Sequence, residues 1–406
     1  MCRAASVGSA GSLALVAGLG SFACVAFGGV DCIPEFVPSP ALQSVSGAHL
    51  QRDGDRMVLQ DYLGTGAGGP SIRLYDISVP ASPVEIGSIP VPGVRQMEFR
   101  GDWIVYRDTL DDLVTIEVGV DGSLVERDRV DLFNSPFRSG RGEMAFESGV
   151  VVLNAAADCP LLDCPWAYRL YRIGSDGSLI LSGDGFGPDI DFTVGGGDGV
   201  VYGTIDGSLV AYGSLSDDPV RFDRIAEVGE GIFADGLGLD SSTAWVLDGV
   251  FSSNSSTLYA FDRTDPADLL PLPSATFAGW GTSLVVGGGL AVVGTSSPNG
   301  NLLFDLRDPE AGARPLGSIA PGASLIVGRT MYLGGSQVRV YDLSPCLPEC
   351  NAADLAEPFG VLDLDDVVAF VSGFTAGAPI ADLDWNGVLD LDDVEGFVVA
   401  FGDGCP

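Results

Sequence analysis

The sequence predicts a mainly β protein: a seven-bladed β-propeller over residues 32–345, followed by a small α domain of two loop–helix units over 346–406. Three observations carry this. Strand-forming stretches recur every ~42–49 residues, the range of a four-stranded blade. Glycine accounts for 57 of 406 residues while the hydrophobic fraction stays at 46%, which suits many short strands joined by tight turns and not a disordered chain. Finally, the C-terminal stretch contains one unit written twice.

Residues 1–28 read as an export signal. Arg3 is the only early charge, and residues 11–27 (GSLALVAGLGSFACVAF) are small and apolar without interruption. Small residues near Ala26 to Gly29 offer a cleavage site. The stretch is glycine-rich and falls short of the ~20 residues of a membrane span. No later run is long enough to span, so the mature chain is expected to be secreted or held at the cell surface. Without Cys2 and Cys24, six cysteines remain. An even count in an exported protein suggests disulfides. Spacing does not dictate their connectivity; the favoured pairing is Cys159–Cys164, Cys350–Cys405 and Cys32–Cys346.

The formal net charge is −35, and all 20 basic residues are arginine. Nucleic-acid binding, which needs a basic footprint, is excluded. Without lysine there is no Walker A loop and no lysine Schiff base. The single histidine, His49, leaves one candidate for a Ser–His or Cys–His pair and is read as an ordinary strand residue.

Within 32–345, one string is an aromatic–Asp pair with Pro four places after the Asp. It stands at Tyr75-Asp76…Pro80, Phe261-Asp262…Pro266 and Phe304-Asp305…Pro309, with a shortened copy at Tyr341-Asp342…Pro345. These Asp residues are read as turn caps bonding backbone amides. A second string, Asp-Gly-Ser-Leu, begins at Asp121, Asp176 and Asp206; Asp-Gly is a hairpin signal. Apolar strand pairs split by Gly or polar residues follow the same beat. Repeat starts fall near Val45, Val94, Arg141, Ile190, Ile232, Gly281 and Ala323. The last unit lacks a strand, which residues 33–44 are expected to supply, closing the ring through the two chain ends. The region resembles bacterial propellers with LVIVD-type repeats, which implies architecture and not function.

From Cys350 the composition changes. Copy one spans 353–374 and copy two 381–401, and Gly360–Phe374 matches Gly387–Phe401 at 11 of 15 positions. In copy two, Asp382, Asp384, Asn386, Asp390 and Asp393 take places 1, 3, 5, 9 and 12 of a loop. Gly387 stands at place 6, and Val388 at place 7 offers its backbone oxygen. Calcium, a hard cation, wants six to eight oxygens at ~2.3–2.6 Å, and carboxylates at alternate places of a curled loop converge to supply them. A helix follows, with Val394, Phe397, Val398 and Phe401 at helical spacing. Copy one departs from this pattern: Asp354, Asp363 and Asp366 match places 1, 9 and 12 and Val361 place 7, while Glu357 substitutes for a missing ligand. It is expected to bind more weakly, or to serve as an apolar structural loop.

These two EF-hand-like units resemble type I dockerins. Over 350–406 they resemble the GC-type dockerin-like anchoring domain of exported bacterial proteins. The resemblance implies calcium binding and docking to a cohesin-like or other envelope protein. It also implies that places 10 and 11 choose the partner; hydroxyl residues are usual there, and this chain has Leu364-Asp365 and Leu391-Asp392. That substitution implies a partner unlike the usual cohesin, and the identical pairs permit two symmetry-related docking modes.

The expected function is a non-catalytic propeller that binds a protein or glycan and is tethered through the C-terminal module. The alternative is a dockerin-anchored, carbohydrate-active hydrolase, for which two carboxylates suffice; its candidate acids are Asp102, Glu143 and Asp235. A third reading is a purely structural envelope component. The loop between Cys159 and Cys164, beside Trp166, is read as a stapled surface loop.

Overall fold

A computed structural model describes residues 34–403, apart from 43–44, 63–68, 133–143, 157–165, 188–189, 196–198, 206, 214–222, 230, 233, 241, 251–253, 298, 308, 323, 329, 344–352, 357–361, 377–380 and 382–388. The export-signal reading of 1–28 and every cysteine lie outside the described residues, and with them all three expected disulfides.

Among the described residues twenty-eight strands form seven four-stranded antiparallel sheets. Blade one is β2 (Gly47–Asp53), β3 (Arg56–Asp61), β4 (Ser71–Asp76) and β5 (Val84–Pro90). Blade two is β6 (Val94–Arg100), β7 (Trp103–Asp108), β8 (Asp112–Val118) and β9 (Leu124–Asp131). Blade three is β10 (Met144–Glu147), β11 (Val150–Ala156), β12 (Trp166–Ile173) and β13 (Leu179–Gly187). Blade four is β14 (Ile190–Gly195), β15 (Val201–Ile205), β16 (Ser208–Gly213) and β17 (Asp223–Val228). Blade five is β18 (Ala234–Leu239), β19 (Thr243–Val250), β20 (Ser255–Asp262) and β21 (Leu270–Ala278). Blade six is β22 (Trp280–Gly287), β23 (Leu290–Ser297), β24 (Asn299–Asp305) and β25 (Arg314–Ile319). Blade seven takes β26 (Ser324–Val327), β27 (Thr330–Leu333) and β28 (Arg339–Asp342), and completes itself with β1 (Glu35–Val37). The first strand of each blade touches the first strand of the next, and β26 touches β2, so these seven strands ring a central channel.

Blade seven closes through the chain ends. Glu35, Phe36 and Val37 pair with Asp342, Tyr341 and Val340, and the Phe36 and Tyr341 rings meet edge to face at 6.0 Å. A ring closed this way leaves no open blade interface.

Both faces of each sheet are buried against neighbouring blades. Second strands are therefore near-continuous apolar runs, such as Val58-Leu59, Ile104-Val105-Tyr106 and Val150-Val151-Val152, all essentially inaccessible. One cluster joins Val58, Ile72 and Leu74 of blade one to Met97, Tyr106 and Val114 of blade two. Another joins Leu50, Met57 and Tyr75 to Leu325, Tyr332 and Val340 across the closure.

In blades one to three, five and six the two recurring strings are alternative fillings of one position, the connection between third and fourth strands. In blades one, five and six the Asp ends the third strand and its carboxylate turns back. Asp76 Oδ1 accepts the Ser78 amide at 2.9 Å, Asp262 Oδ1 that of Thr264 at 2.8 Å, and Asp305 Oδ1 that of Arg307 at 3.1 Å. In blades two and three Asp-Gly does the work. Asp121 and Asp176 accept the amides of Ser123 and Ser178, while Gly122 and Gly177 take φ of 82° and 86°, a region L side chains avoid. Asp206 lies outside the described residues, but Gly207 beside it falls between the second and third strands of blade four, so there the same string fills a different connection.

Two irregularities also recur. In each of blades one to six the register between third and fourth strands slips at the same place, for example between Leu74 and Tyr75 and between Leu303 and Phe304. The resulting bulge twists each outer edge away from strand addition. Five inner strands bulge near their start, and His49 stands in one of these, with φ of 49°. It is therefore not an ordinary strand residue, and burial lowers its pKa.

Asp305 shows how the turn acids hold the ring. Its Oδ1 also accepts Arg307 Nε at 2.8 Å, and Oδ2 accepts Arg307 and Arg314 Nη2 at 2.7 and 2.6 Å. Burial pushes its pKa up, but the two guanidiniums outweigh this and hold it below the usual carboxylate range. Stability from these pairs is fully present above the unfolded value of ~3.9 and is lost as pH falls through the depressed native value. Melting temperatures recorded from pH 6 down to about pH 3 should fall more steeply in the wild type than in Asp305→Asn; parallel curves would contradict this.

The C-terminal unit has two helices, α1 (Leu364–Ala376) and α2 (Leu391–Asp403). They pack through repeated phenylalanines: Phe370 stacks on Phe397 at 4.3 Å, with Phe374 and Phe401 one turn further on. Ala353 and Ala381, equivalent residues of the two copies, complete the buried centre.

Candidate functional site

The motif Asp-Leu-Asp-Asp, at 363–366 and again at 390–393, opens both helices. In copy one, Asp363 caps α1: its Oδ1 accepts the Asp365 amide at 2.8 Å. Asp366, three residues on, returns the favour by accepting the Asp363 amide at 2.9 Å. This reciprocal pair is a capping box with Asp in place of the usual Glu. In copy two the Asp390 amide donates to Asp393 Oδ2 at 3.0 Å. Places 9 and 12 of each loop therefore also start a helix. That role was legible as Asp-x-x-Asp before an apolar run, and the ligand pattern overshadowed it.

Asp366 does more. Its Oδ1 accepts the amides of Leu355 and Ala356, both at 2.7 Å. One inaccessible carboxylate thus binds three backbone donors and ties the start of loop one to the start of α1. Asp354 at place 1 is 9% exposed. Glu357 and Val361, and Asp382, Asp384, Asn386 and Val388 of copy two, lie outside the described residues. Among the described residues no three metal-ligating side chains converge; the ligand set read for copy one includes Glu357 and Val361, which are outside them.

The donor chemistry nevertheless fits a hard cation. Asp366 and Asp393 are both 0% exposed, within a segment, 347–406, that has 13 acidic residues and no basic one. A buried carboxylate needs a cation, donor hydrogens or a proton. In copy one backbone amides supply part of that compensation. In copy two the Asp390 amide supplies part of it to Asp393.

Beside each buried acid stands an exposed leucine. Leu364 is 73% and Leu391 81% exposed. Val368 and Val371, one and two turns beyond Leu364, are exposed on α1, and Val398 and Val399 on α2. The helix read from Val394, Phe397, Val398 and Phe401 is α2; Val394, Phe397 and Phe401 face the core and Val398 faces solvent. Asp365 is exposed beside Leu364; the side chain of Asp392 is outside what the structure describes.

Of the candidate hydrolytic acids, Asp102 and Asp235 do not form a pair. Asp102 sits in the turn after inner strand β6 and is ion-paired with Arg56 at 3.3 Å. Asp235 lies at the opposite end of the channel, near the start of inner strand β18, and its Oδ2 accepts the Gly249 amide at 2.8 Å. Burial raises its pKa. A strand of this length separates the two by roughly 20 Å, against the ~5–9.5 Å of glycosidase carboxylates. Glu143 lies outside the described residues, as does the loop between Cys159 and Cys164.

Sequence reading missed the acids that end second strands. Asp61 and Asp108, both inaccessible, pair with Arg73 at 2.8 Å and Arg129 at 2.7 Å. Ser46 donates to Asp61 at 2.9 Å, and the amides of Leu110 and Asp112 to Asp108. These are clamps on the blade connections. The recurring signal was an Asp closing an apolar run, as in MVLQD and WIVYRD.

The fold is similar to solved structures at low identity. A protein of Lactobacillus plantarum superposes with a TM-score of 0.51 at 12% identity, covering 75% of this chain and 89% of that one. BamB of Moraxella catarrhalis gives 0.43 at 12%, covering 73% and 85%. The WD40 domain of Toxoplasma gondii coronin gives 0.47 at 8%, covering 74% and 83%. No family model and no curated protein matches the chain. Likeness at this level shows the fold alone. Among the described residues no helix is long and apolar enough to cross a membrane.

Proposed function

We propose that the protein is an exported, non-catalytic β-propeller that binds a protein or glycan, and that its dockerin-like C-terminal module tethers it to a cell-surface or extracellular assembly. The observation carrying this reading is the pair of exposed leucines, Leu364 and Leu391, each at the first position of an equivalent helix and each continued by exposed valines. A duplicated module of about 60 residues has little core to spare, and leaving these side chains in water has no folding rationale. A partner that covers them gives one.

Calcium is the cation whose chemistry the loops suit: Asp382, Asp384, Asn386, Asp390 and Asp393 would hold it with the Val388 backbone oxygen, neutralising charge where carboxylates are buried without base. Folding and docking of the module are then calcium-dependent.

The test is capture of an envelope protein by the immobilised full chain, with calcium and with chelator. The Leu364→Ala/Leu391→Ala double variant should lose binding at least ~10-fold, because it removes two buried apolar anchors of ~1–2 kcal/mol each. Either single variant should lose far less if the two modes substitute for each other. Calcium-independent capture, unchanged in the double variant, would remove the docking reading.

A further inference from the structure

The two helices of the C-terminal module present different faces to solvent. On α1 the exposed large apolar residues are Leu364, Val368 and Val371. They stand at places i, i+4 and i+7 of the helix. At 3.6 residues per turn they fall within an arc of roughly 60° and run about 10 Å along the axis. They form one unbroken stripe. On α2 the equivalents of Leu364 and Val371 are Leu391 and Val398, exposed in the same way. The equivalent of Val368 is Glu395, and it too is exposed. Val399, where α1 has Ser372, adds apolar area on α2. Helical spacing puts Glu395 between Val399 and the line of Leu391 and Val398. A carboxylate therefore splits the stripe of copy two.

The charge around these stripes narrows what can cover them. Asp365 is exposed beside Leu364, and Asp390 beside Leu391. The segment 347–406 has 13 acidic residues and no basic one, in a chain of net charge −35. A second copy of the chain would bring the same charge against the same face, and repulsion opposes that. The complementary cover is an apolar groove with a basic rim on a different protein. Its floor accepts Val368 as it accepts Leu364. Glu395 would have to leave water on the same floor, far from a basic rim, and a carboxylate buried without a partner is costly.

We propose that docking runs in one mode: α1 is the docking helix, seated through Leu364, Val368 and Val371 in a base-rimmed apolar groove of another protein, and Glu395 keeps α2 out of that groove. The proposal rests on the docking reading above and sharpens it. The identical Leu-Asp pairs do not make the copies interchangeable. Copy two supplies the calcium loop and copy one the face.

The experiment uses the immobilised full chain in calcium, with the detergent-solubilised envelope of the producing cell as the probe. Val368→Glu should lower capture at least ~10-fold, because it puts an unpaired carboxylate on the groove floor. Leu364→Ala alone should lose as much as the double leucine variant, and Leu391→Ala alone should lose nothing. The exchange Val368→Glu/Glu395→Val should restore capture and transfer its dependence from Leu364 to Leu391. Both exchanged positions are exposed, and unchanged circular dichroism checks that the helices persist. Capture that the double leucine variant leaves intact would overturn the docking reading and this proposal together. Capture lost in the double variant yet indifferent to Val368→Glu, or weakened equally by either single leucine change, would overturn the one-mode proposal alone. A dimer in sedimentation that Val368→Glu dissolves would put a second copy on the face and overturn it as well.

Discussion

Asp366→Ala is expected to unfold the first loop–helix unit while leaving the propeller standing. The substitution removes an inaccessible carboxylate that accepts the amides of Leu355, Ala356 and Asp363. Three half-buried donors are then left short, and the reciprocal half of the capping box goes with them. Hydrogen bonds to a charged group contribute ~1.5–3 kcal/mol each, with incomplete additivity, so the cost is about 3–5 kcal/mol. The unit centres on Ala353, Phe370, Ala381 and Phe397, a core too small to absorb such a loss. Helical signal in far-ultraviolet circular dichroism should melt early and separately from the sheet signal. Asp366→Asn retains one acceptor oxygen and should fall between. A variant melting like the wild type would mean that Asp366 is not the tie between loop and helix.

Trp245→Ala should be the most damaging single change in the propeller. Trp245 on β19 is inaccessible and packs with Leu247, Leu258, Leu284 and Phe304, where blade five meets blade six. Its Nε1 donates to Asp240 Oδ2 at 3.0 Å, and the same Asp240 holds the turn into β19 through the amides of Ser242 and Thr243. Removing a buried aromatic of this size costs about 3–5 kcal/mol, in lost transfer energy plus cavity. Trp245→Phe keeps most of the packing and forfeits the hydrogen bond, for about 1–2 kcal/mol. Denaturant titration of both variants checks the ratio. Equal, small losses would show that the blade interface collapses to fill the space.

The architecture was readable because each blade solves the same problem with the same residues. Second strands are buried on both faces and so read as unbroken apolar runs. In blades one to three, five and six the connection between third and fourth strands uses an Asp folding back on an amide two residues on, joined in blades two and three by a glycine at positive φ, and both leave short strings in the sequence. The six complete and one truncated repeats followed from that spacing, and the strand expected from 33–44 is Glu35–Val37. What could not be read is what depends on register. The bulges in inner and outer strands have no residue signature: the outer-strand bulge is filled by Ile86, Arg127 or Ser182 in different blades. The buried Asp61 and Asp108 were hidden because an acid after an apolar run usually marks a solvated turn, and only tertiary pairing with Arg73 and Arg129 puts them inside.

At the C-terminus the sequence and the geometry diverge in a definite way. Asp363, Asp366, Asp390 and Asp393 were singled out as metal ligands, and the structure gives them a second role as helix caps. Both roles ask for an oxygen aimed at the first turn, which is why one residue type at one spacing serves either. Leu364 and Leu391 were singled out for docking and are exposed. Val398, one of the residues whose spacing marked the helix, lies on the outer face with them.

The central claim is that the duplicated module is a calcium-dependent docking unit of which copy two is the working calcium site. Isothermal calorimetry of calcium into the full chain tests it most directly, alongside Asp382→Ala. The account predicts a binding event that Asp382→Ala abolishes, with helix gained on binding. No heat in the wild type, or an affinity indifferent to Asp382→Ala, would contradict it.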